Sequence, residues 1–219
     1  MRYESPQTVD QAISLLAGAG GDPRVLAGGT DLLVQLRAGA IDPELIVDIK
    51  QIDEAMAIST EAGGFRVGAA VSGARLKEHD TLSASWPGVV EAADLIGSTQ
   101  IQGRASMGGN LCNASPAADT VPALIAAGAT CALAGPGGRR EVPVEEICTG
   151  PGQTILTDGE FVVSILLPAR GSRSGDAYLR FIPRTEMDIA VVGVGVSLSL
   201  DRDGQCSAAR LVQWLRPHY

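Results

Sequence analysis

Ser106-Met107-Gly108-Gly109-Asn110, continuing as Leu111-Cys112-Asn113-Ala114-Ser115-Pro116-Ala117-Ala118-Asp119, decides the reading of this chain together with an upstream counterpart, Ala27-Gly28-Gly29-Thr30-Asp31. Each is a Gly-Gly pair followed by a small polar residue. Each is expected to be entered from an extended segment and left through one that opens a helix. Glycine tolerates φ > 0 and lets a backbone or ligand approach where a Cβ would intrude. Successive N–H groups in such a turn, like those at a helix start, converge on an anion. The two pairs therefore read as two jaws of one phosphate clamp, with Thr30, Ser106 and Asn110 as hydroxyl or amide neighbours. Gly109 is expected at φ > 0, which a β-branched residue does not readily adopt.

A Gly-Gly pair alone is as readily a plain turn, and this chain has 27 glycines, so Gly20-Gly21, Gly63-Gly64 and Gly137-Gly138 are read as turns. The flanking sequence separates the two jaws from these. Thr8 to Gln11 has capping-box spacing, and Val9, Ala12, Ile13 and Leu16 share one helical face before the glycines at 18–21. Residues 24–27 form a short strand into the first pair, after which Thr30 or Asp31 caps a helix carrying Leu32, Leu33 and Leu36. A strand at 43–49, a hairpin of 57–59 with 65–69, and helices at 73–79 and 88–96 follow. His79 lies among polar neighbours near a helix end and reads as structural. Asp119-Thr120 opens an apolar helix with Pro122 in its first turn.

Farther on, strands at 130–134 and 141–144 flank a glycine turn, and the apolar strand 161–167 closes the first body. Residues 169–175, small, polar and glycine-rich between two apolar strands, are the linker candidate. Beyond it, the run at 188–200, the turn Asp201-Arg202-Asp203-Gly204 and the segment 206–215 predict a β-rich piece.

Composition narrows the function. With 219 residues, 45% of them hydrophobic, the chain fills one large or two small cores. A formal charge of −8, Lys50 and Lys77 as the only lysines, and no basic run argue against nucleic-acid or anionic-membrane partners. A phosphate here must be held by backbone, hydroxyls or arginine. No apolar run is long enough to span a membrane and the first residues lack a signal-peptide core, so the protein is expected to be soluble and cytoplasmic. Cys112, Cys131, Cys148 and Cys206 contain no C-x-x-C pair, which speaks against a self-contained zinc or iron–sulfur site and for buried or free thiols. There is no G-x-G-x-x-G, G-x-x-x-x-G-K-[ST] or H-E-x-x-H, and His79 and His218 are the only histidines. Histidine acid–base catalysis is thus hard to build, and borrowed cofactor chemistry is the natural alternative.

Val25-Leu26-Ala27-Gly28-Gly29-Thr30-Asp31-Leu32-Leu33, the 106–119 stretch and Met187-Asp188-Ile189-Ala190-Val191-Val192 resemble the FAD-binding medium subunit of molybdenum hydroxylases. That family includes the flavin subunits of aerobic carbon monoxide dehydrogenase and of xanthine dehydrogenase-type enzymes. The resemblance covers residues 1 to about 210. It implies an α+β fold of the vanillyl-alcohol-oxidase type. In that fold residues 1–170 form an FAD-binding domain of two subdomains, about 1–55 and 56–170, followed by an incomplete β-rich C-terminal domain at 175–219. It also implies a division of labour: a molybdenum-cofactor large subunit oxidises substrate, a [2Fe-2S] small subunit relays electrons, and FAD on this subunit passes them to an acceptor.

By position in the family motifs, Leu26, Ala27, Gly28, Gly29, Thr30, Asp31, Leu32 and Leu33 line the pyrophosphate and ribityl chain, and Ser106, Gly108, Gly109 and Asn110 close the clamp. Asp119 matches a cofactor-contacting acid and equally suits an N-cap; Thr30 and Asp31 share that ambiguity. Val162 matches an apolar residue beside the adenine and is also an ordinary core-strand residue. Arg180 stands where many relatives carry Lys near the flavin ring, and its permanent charge argues against a tuned proton-transfer role. Arg104 reads as well as a solvated loop charge. The family continues past the strand at 206–211 while this chain ends at Tyr219, which leaves two alternatives to an electron-transferring subunit: a non-catalytic remnant of the same fold, and a stand-alone flavin oxidoreductase.

Overall fold

The computed structural model describes residues 1–184 and 188–215. Met187 of the third family motif, and residues 216–219 with His218, lie outside them. The chain opens with β1 (Arg2–Glu4), α1 (Val9–Ala17), β2 (Arg24–Leu26), α2 (Leu32–Arg37) and β3 (Leu45–Asp48). The strands form a parallel sheet in the order β1-β3-β2, with Tyr3 opposite Ile46 and Val25 opposite Val47. All four residues of the middle strand are buried. Thr8 caps α1 by accepting from Gln11 N at 3.2 Å, and Gln11 reaches back to Gln7 N at 2.9 Å, one residue beyond the usual box. Val9, Ala12 and Leu16 bury the inner face of α1. In α2 no residue is buried, and Leu33 and Val34 are exposed.

The second sheet starts from α3 (Asp53–Met56), β4 (Ile58–Glu61) and β5 (Gly64–Gly68). A run of short helices follows: α4 (Gly73–Lys77), α5 (Asp80–Ser85), α6 (Pro87–Asp94), α7 (Thr99–Gln102), α8 (Met107–Cys112) and α9 (Thr120–Ala127). The helix expected over 73–79 stops at Lys77 because His79 starts the next one. Its Nδ1 accepts from Leu82 N at 3.2 Å, and its ring meets the edge of Phe65. Every residue of α9 is buried, and Gly128 ends it in the left-handed conformation.

Strands β6 (Thr130–Gly135), β7 (Gly138–Pro143), β8 (Cys148–Gly150), β9 (Gln153–Thr154) and β10 (Phe161–Leu167) complete this part. The sheet runs β4-β5-β10-β6-β7 and is antiparallel, while β8 and β9 pair separately. The apolar β10 lies at its centre, which accounts for its sequence: a strand covered on both faces has no polar face to show. Its one polar residue, Ser164, is buried and accepts from Arg66 Nη1 at 3.2 Å.

The last sheet joins β11 (Ser174–Phe181), β12 (Val192–Leu200) and β13 (Cys206–Leu215) as an antiparallel meander. On its inner face Gly195 stands against the carbonyl of Pro122 in α9, so close that an added Cβ would lie 2.5 Å from the Pro122 carbonyl carbon. On its outer face Leu179, Phe181, Leu198, Leu200, Leu211 and Leu215 are exposed. The 169–175 segment is no free tether. Arg170 bonds Asp176 at 2.6 Å and the carbonyl of Ser85 and lies 4.3 Å over the Trp86 ring, while Asp176 accepts from Val89 N in the first turn of α6. One hydrophobic core runs from Val9 through both α/β sheets to Tyr178.

Candidate functional site

A cavity of about 890 Å³ opens between the parallel sheet and the five-stranded sheet. One wall is the loop after β2, residues 27–32. The opposite wall is Ala105, Ser106, Gly108, Gly109 and Asn110, with Phe161 and Val162 of β10. Residues 152–160 and Pro136 close one end.

The first loop follows the expected order of strand, glycine turn and helix. Gly29 holds φ = 79°, a conformation that costs a non-glycine residue about 1–2 kcal/mol. Gly28 has a different reason for being glycine. A Cβ there would fall 2.7 Å from the carbonyl carbon of Arg104, 3.1 Å from Cα of Ala105, and closer still to the Arg104 oxygen. The backbones of the two jaws are therefore in contact at this point. Among the described residues, no chain group accepts from the N–H groups of Gly28, Gly29 or Thr30.

The second jaw departs from expectation. Gly108 and Gly109 are not a turn after a strand; they lie in the first turn of α8, preceded by α7. Ser106 is the N-cap and accepts from Gly109 N at 3.1 Å. Gly109 does not have positive φ, so the strain argument for it is corrected: a Cβ there meets only Ser106 Oγ, at 3.2 Å. Gly108 is the crowded position, because its Cβ would lie 2.6 Å from both Cβ and the carbonyl oxygen of Ala69. Gly108, which lines the cavity, keeps one of the unpartnered N–H groups that a helix start leaves.

Two capping expectations are also corrected. Asp31 precedes α2 with helical angles and no capping bond from its side chain. Asp119 precedes α9 likewise, and it is Asn110 Oδ1 that accepts from Thr120 N at 3.1 Å and from Thr120 Oγ1 at 2.6 Å. The Asp119 carboxylate points instead to the C-terminal sheet, accepting from Tyr178 OH at 2.9 Å and Arg180 Nη1 at 3.2 Å. Arg180 also donates to the carbonyl of Leu95 at 2.7 Å. Burial pushes the Asp119 carboxyl above its ordinary range, an effect opposed by the Arg180 charge and the Tyr178 hydroxyl. Burial and the neighbouring Asp119 raise the Tyr178 hydroxyl. Trp214 Nε1 donates to the Ser115 carbonyl at 3.0 Å, so β11 and β13 both grip the segment that links the second jaw to α9.

Of the residues singled out in the sequence, Ala27, Gly28, Gly29, Thr30, Asp31, Leu32, Ser106, Gly108, Gly109, Asn110 and Val162 line the one cavity. Leu26 and Leu33 pack behind Gly29, within 2.9 and 3.4 Å of where its Cβ would be. Asp119 and Arg180 form the buried pair at the C-terminal sheet and are not on the cavity wall. Sequence reasoning missed the lining from residues 152–160 and from 19–25. Residues 20–21 read as a turn and 24–25 as part of a short strand, residues 152–160 carried no assignment, and no residue type in either stretch signals a ligand. It placed the 27–33 and 106–110 loops because glycine pairs are chemically distinctive.

The charges around the cavity are mostly acidic. Asp22, Asp31, Asp158 and Glu160 line it, and the one cation that lines it among the described residues, Arg24, is bound to Asp22 at 2.5 Å. Burial raises the Asp31 carboxyl. Glu160 is held down at about 2, first by its paired hydrogen bonds from Arg140, at 2.9 Å each. Cys112 also lines the cavity, its thiol pushed up to about 12 by burial. Among the described residues no group of three or more His, Cys, Asp or Glu is placed to hold a metal ion. The volume of the cavity is in the range of small-molecule sites, and the glycines of the two jaws line it with N–H groups that have no acceptor among the described residues.

Residues 1–170 match the family model described as the FAD binding domain in molybdopterin dehydrogenase. The carbon monoxide dehydrogenase medium chain of Hydrogenophaga pseudoflava is 34% identical over 194 residues, covering 89% of this chain and 67% of that one. A putative xanthine dehydrogenase FAD-binding subunit of Escherichia coli is 33% identical over 211 residues, covering 95% of this chain and 72% of that one. Among solved structures, carbon monoxide dehydrogenase from Hydrogenophaga pseudoflava superposes with a TM-score of 0.92 at 32% identity, covering 98% of this chain and 74% of that one. Quinoline 2-oxidoreductase from Pseudomonas putida gives 0.88 at 28%, covering 97% and 73%. Taken with the paired glycine jaws and the cavity they enclose, these likenesses show that the chain belongs to the family of FAD-binding domains of molybdopterin dehydrogenases.

Proposed function

We propose that this chain is the electron-transferring FAD subunit of a molybdenum hydroxylase, taking electrons from a [2Fe-2S] small subunit that is itself fed by a molybdenum-cofactor large subunit. The observation that carries the reading is the pair of jaws, which line one cavity, touch through a glycine-to-backbone contact, and carry N–H groups with no acceptor among the described residues. FAD supplies two-electron and one-electron chemistry, and the chain's part is to bind and orient it.

In this reading Gly28, Gly29 and Thr30 donate to the pyrophosphate from one side, and Gly108 from the other. Asp31, raised by burial and without a cation partner among the described residues, accepts from a ligand hydroxyl at the rim. Val162 and Phe161 give an apolar floor. The Asp119–Arg180–Tyr178 group holds the C-terminal sheet against the start of α9 and so fixes the far side of the second jaw. No helix of the described residues is long and apolar enough to cross a membrane, in keeping with an assembly of soluble subunits.

The experiment is direct. The purified chain should be yellow, release FAD in equimolar amount on denaturation, and bind added FAD after stripping. A folded, colourless protein that takes up no FAD would overturn the reading. Co-expression with candidate large and small chains distinguishes a subunit from a free-standing oxidoreductase, since a subunit is recovered with both.

A further inference from the structure

Beneath the first jaw lies a polar cluster that the glycine pattern does not explain. Lys50, in the turn after β3, extends its ammonium to the carbonyl oxygen of Ala27 at 2.9 Å and to Asp48 Oδ1 at 2.7 Å. Asp48 is 6% exposed, and its second oxygen accepts from Tyr3 OH at 2.5 Å. Asp48 also accepts from the backbone N–H of Lys50 at 2.9 Å. Lys50 is thus fixed by a carboxylate that is itself fixed from β1. The next carbonyl, Gly28 O, accepts from Arg104 Nε at 3.4 Å, and the one after, Gly29 O, accepts from Leu33 N at 3.0 Å.

Every carbonyl of Ala27-Gly28-Gly29 therefore has a donor within the chain, while the N–H groups of Gly28, Gly29 and Thr30 have no acceptor in the described chain. A peptide plane has its C=O and N–H on opposite edges. Holding Ala27 O from behind fixes the plane whose N–H belongs to Gly28, and holding Gly28 O fixes the plane whose N–H belongs to Gly29. A glycine loop needs such restraint because it has more conformations to lose than any other sequence.

Resting on the FAD reading above, we propose that Lys50, braced by Asp48 and Tyr3, is a positioning residue of the cofactor site. It does not line the cavity. It presents the N–H groups of the first jaw to the ligand's pyrophosphate by holding the opposite edge of the peptide. A conformationally floppy loop would still close on a ligand, but would lose affinity in ordering itself.

The test compares wild type with Lys50→Met, Lys50→Arg and Tyr3→Phe in the purified, flavin-stripped chain. FAD, ADP and riboflavin are titrated separately, with flavin fluorescence reporting the first and third and displacement of FAD reporting the second. Lys50→Met should weaken FAD and ADP in parallel by about tenfold or more, the size of a lost charge-assisted bond. Riboflavin, which has no pyrophosphate, should change by less than about twofold. Lys50→Arg should recover most of the loss, and Tyr3→Phe should show a smaller loss of the same pattern. Equal loss for FAD and riboflavin, or unchanged ADP and FAD affinity in Lys50→Met, would overturn the proposal. If Lys50→Met does not fold, Tyr3→Phe decides in the same way: ADP affinity unchanged, or falling no further than riboflavin affinity, counts against it. Failure of wild type to bind FAD or ADP would instead refute the site reading on which the proposal rests.

Discussion

Replacing Gly28 by alanine tests the contact between the jaws, and the structure sets the size of the effect. The new Cβ would sit 2.7 Å from the carbonyl carbon of Arg104 and 3.1 Å from Cα of Ala105. Non-bonded carbons prefer at least about 3.5 Å, so the backbones must part by at least about 0.8 Å, and by more to clear the nearer Arg104 oxygen. Neither side yields by a rotamer change, because both clashing groups are main chain. Overpacking of this kind costs about 1–3 kcal/mol. With a urea m-value of about 2 kcal/mol per molar, the unfolding midpoint of the stripped chain should fall by about 0.5–1.5 M. FAD affinity should fall further than stability predicts, because donors on two separated jaws no longer reach one pyrophosphate. Loss of one such bond is worth about 1.5–3 kcal/mol, or roughly 10- to 150-fold. Gly109→Ala is the internal control. It meets only Ser106 Oγ at 3.2 Å and lies in a helix, where alanine is favoured over glycine by up to about 1 kcal/mol. Its midpoint should therefore be unchanged or raised. A Gly28→Ala protein with wild-type midpoint and FAD affinity would refute the claim that the two jaws meet at that residue.

Two further predictions concern charge. Glu160, paired with Arg140, has its carboxyl depressed from 4.5 to about 2 in the folded chain, so the stability this pair contributes is full above about 4.5 and is lost as pH falls toward 2. Urea midpoints of wild type and Glu160→Gln should differ at pH 7, draw together below about pH 4.5 and converge only near pH 2; a gap that stays constant would exclude the pair as its source. Arg180→Met leaves Asp119, whose side chain is 11% exposed, without its cation, and breaking a buried pair in this way costs about 3–5 kcal/mol. The carboxyl, already raised by burial, rises further. A group with a raised folded pKa stabilises below it and loses that contribution as pH rises through it. The variant's deficit should therefore be largest at pH 7, shrink on acidification, and be partly repaired by adding Asp119→Asn. A deficit independent of pH would argue against this account.

The parts of the fold legible in the sequence were those with a local physical signature. Thr8 and the 9, 12, 16 spacing gave α1, the apolar run at 161–167 gave the central strand, and Asp201-Arg202-Asp203-Gly204 gave the last hairpin. The helix series from 73 to 112 was less legible, because its boundaries depend on caps such as the His79 ring nitrogen, which no propensity scale anticipates. Glycine pairs marked both jaws and both reasons for glycine were expected of them, but which residue serves which reason was not, and φ > 0 holds at Gly29 and not at Gly109. At Gly28 and Gly108 it is the approach of another backbone, a tertiary fact invisible in one sequence. Asp119 shows the same limit. Its position before an apolar helix suggests a cap, but Asn110, nine places upstream, takes that job while Asp119 turns to Tyr178 and Arg180, 59 and 61 residues away.

These details bear on how a chain of net charge −8, with four acids and one paired arginine around its cavity, can hold a pyrophosphate. A side-chain cation in front of the phosphates would work by charge, and the surrounding acids would weaken it. Backbone N–H groups carry no net charge to be cancelled, but they bind well only if they are already aimed. Aim requires the backbone to come close, hence glycine at 28 and 108, and requires the opposite peptide edges to be held. Lys50 at Ala27 O and Arg104 at Gly28 O place the available cations behind the loop, where one ammonium orders several donors. Substitutions that loosen this backing should therefore weaken binding of the pyrophosphate more than substitutions that alter the net charge of the rim.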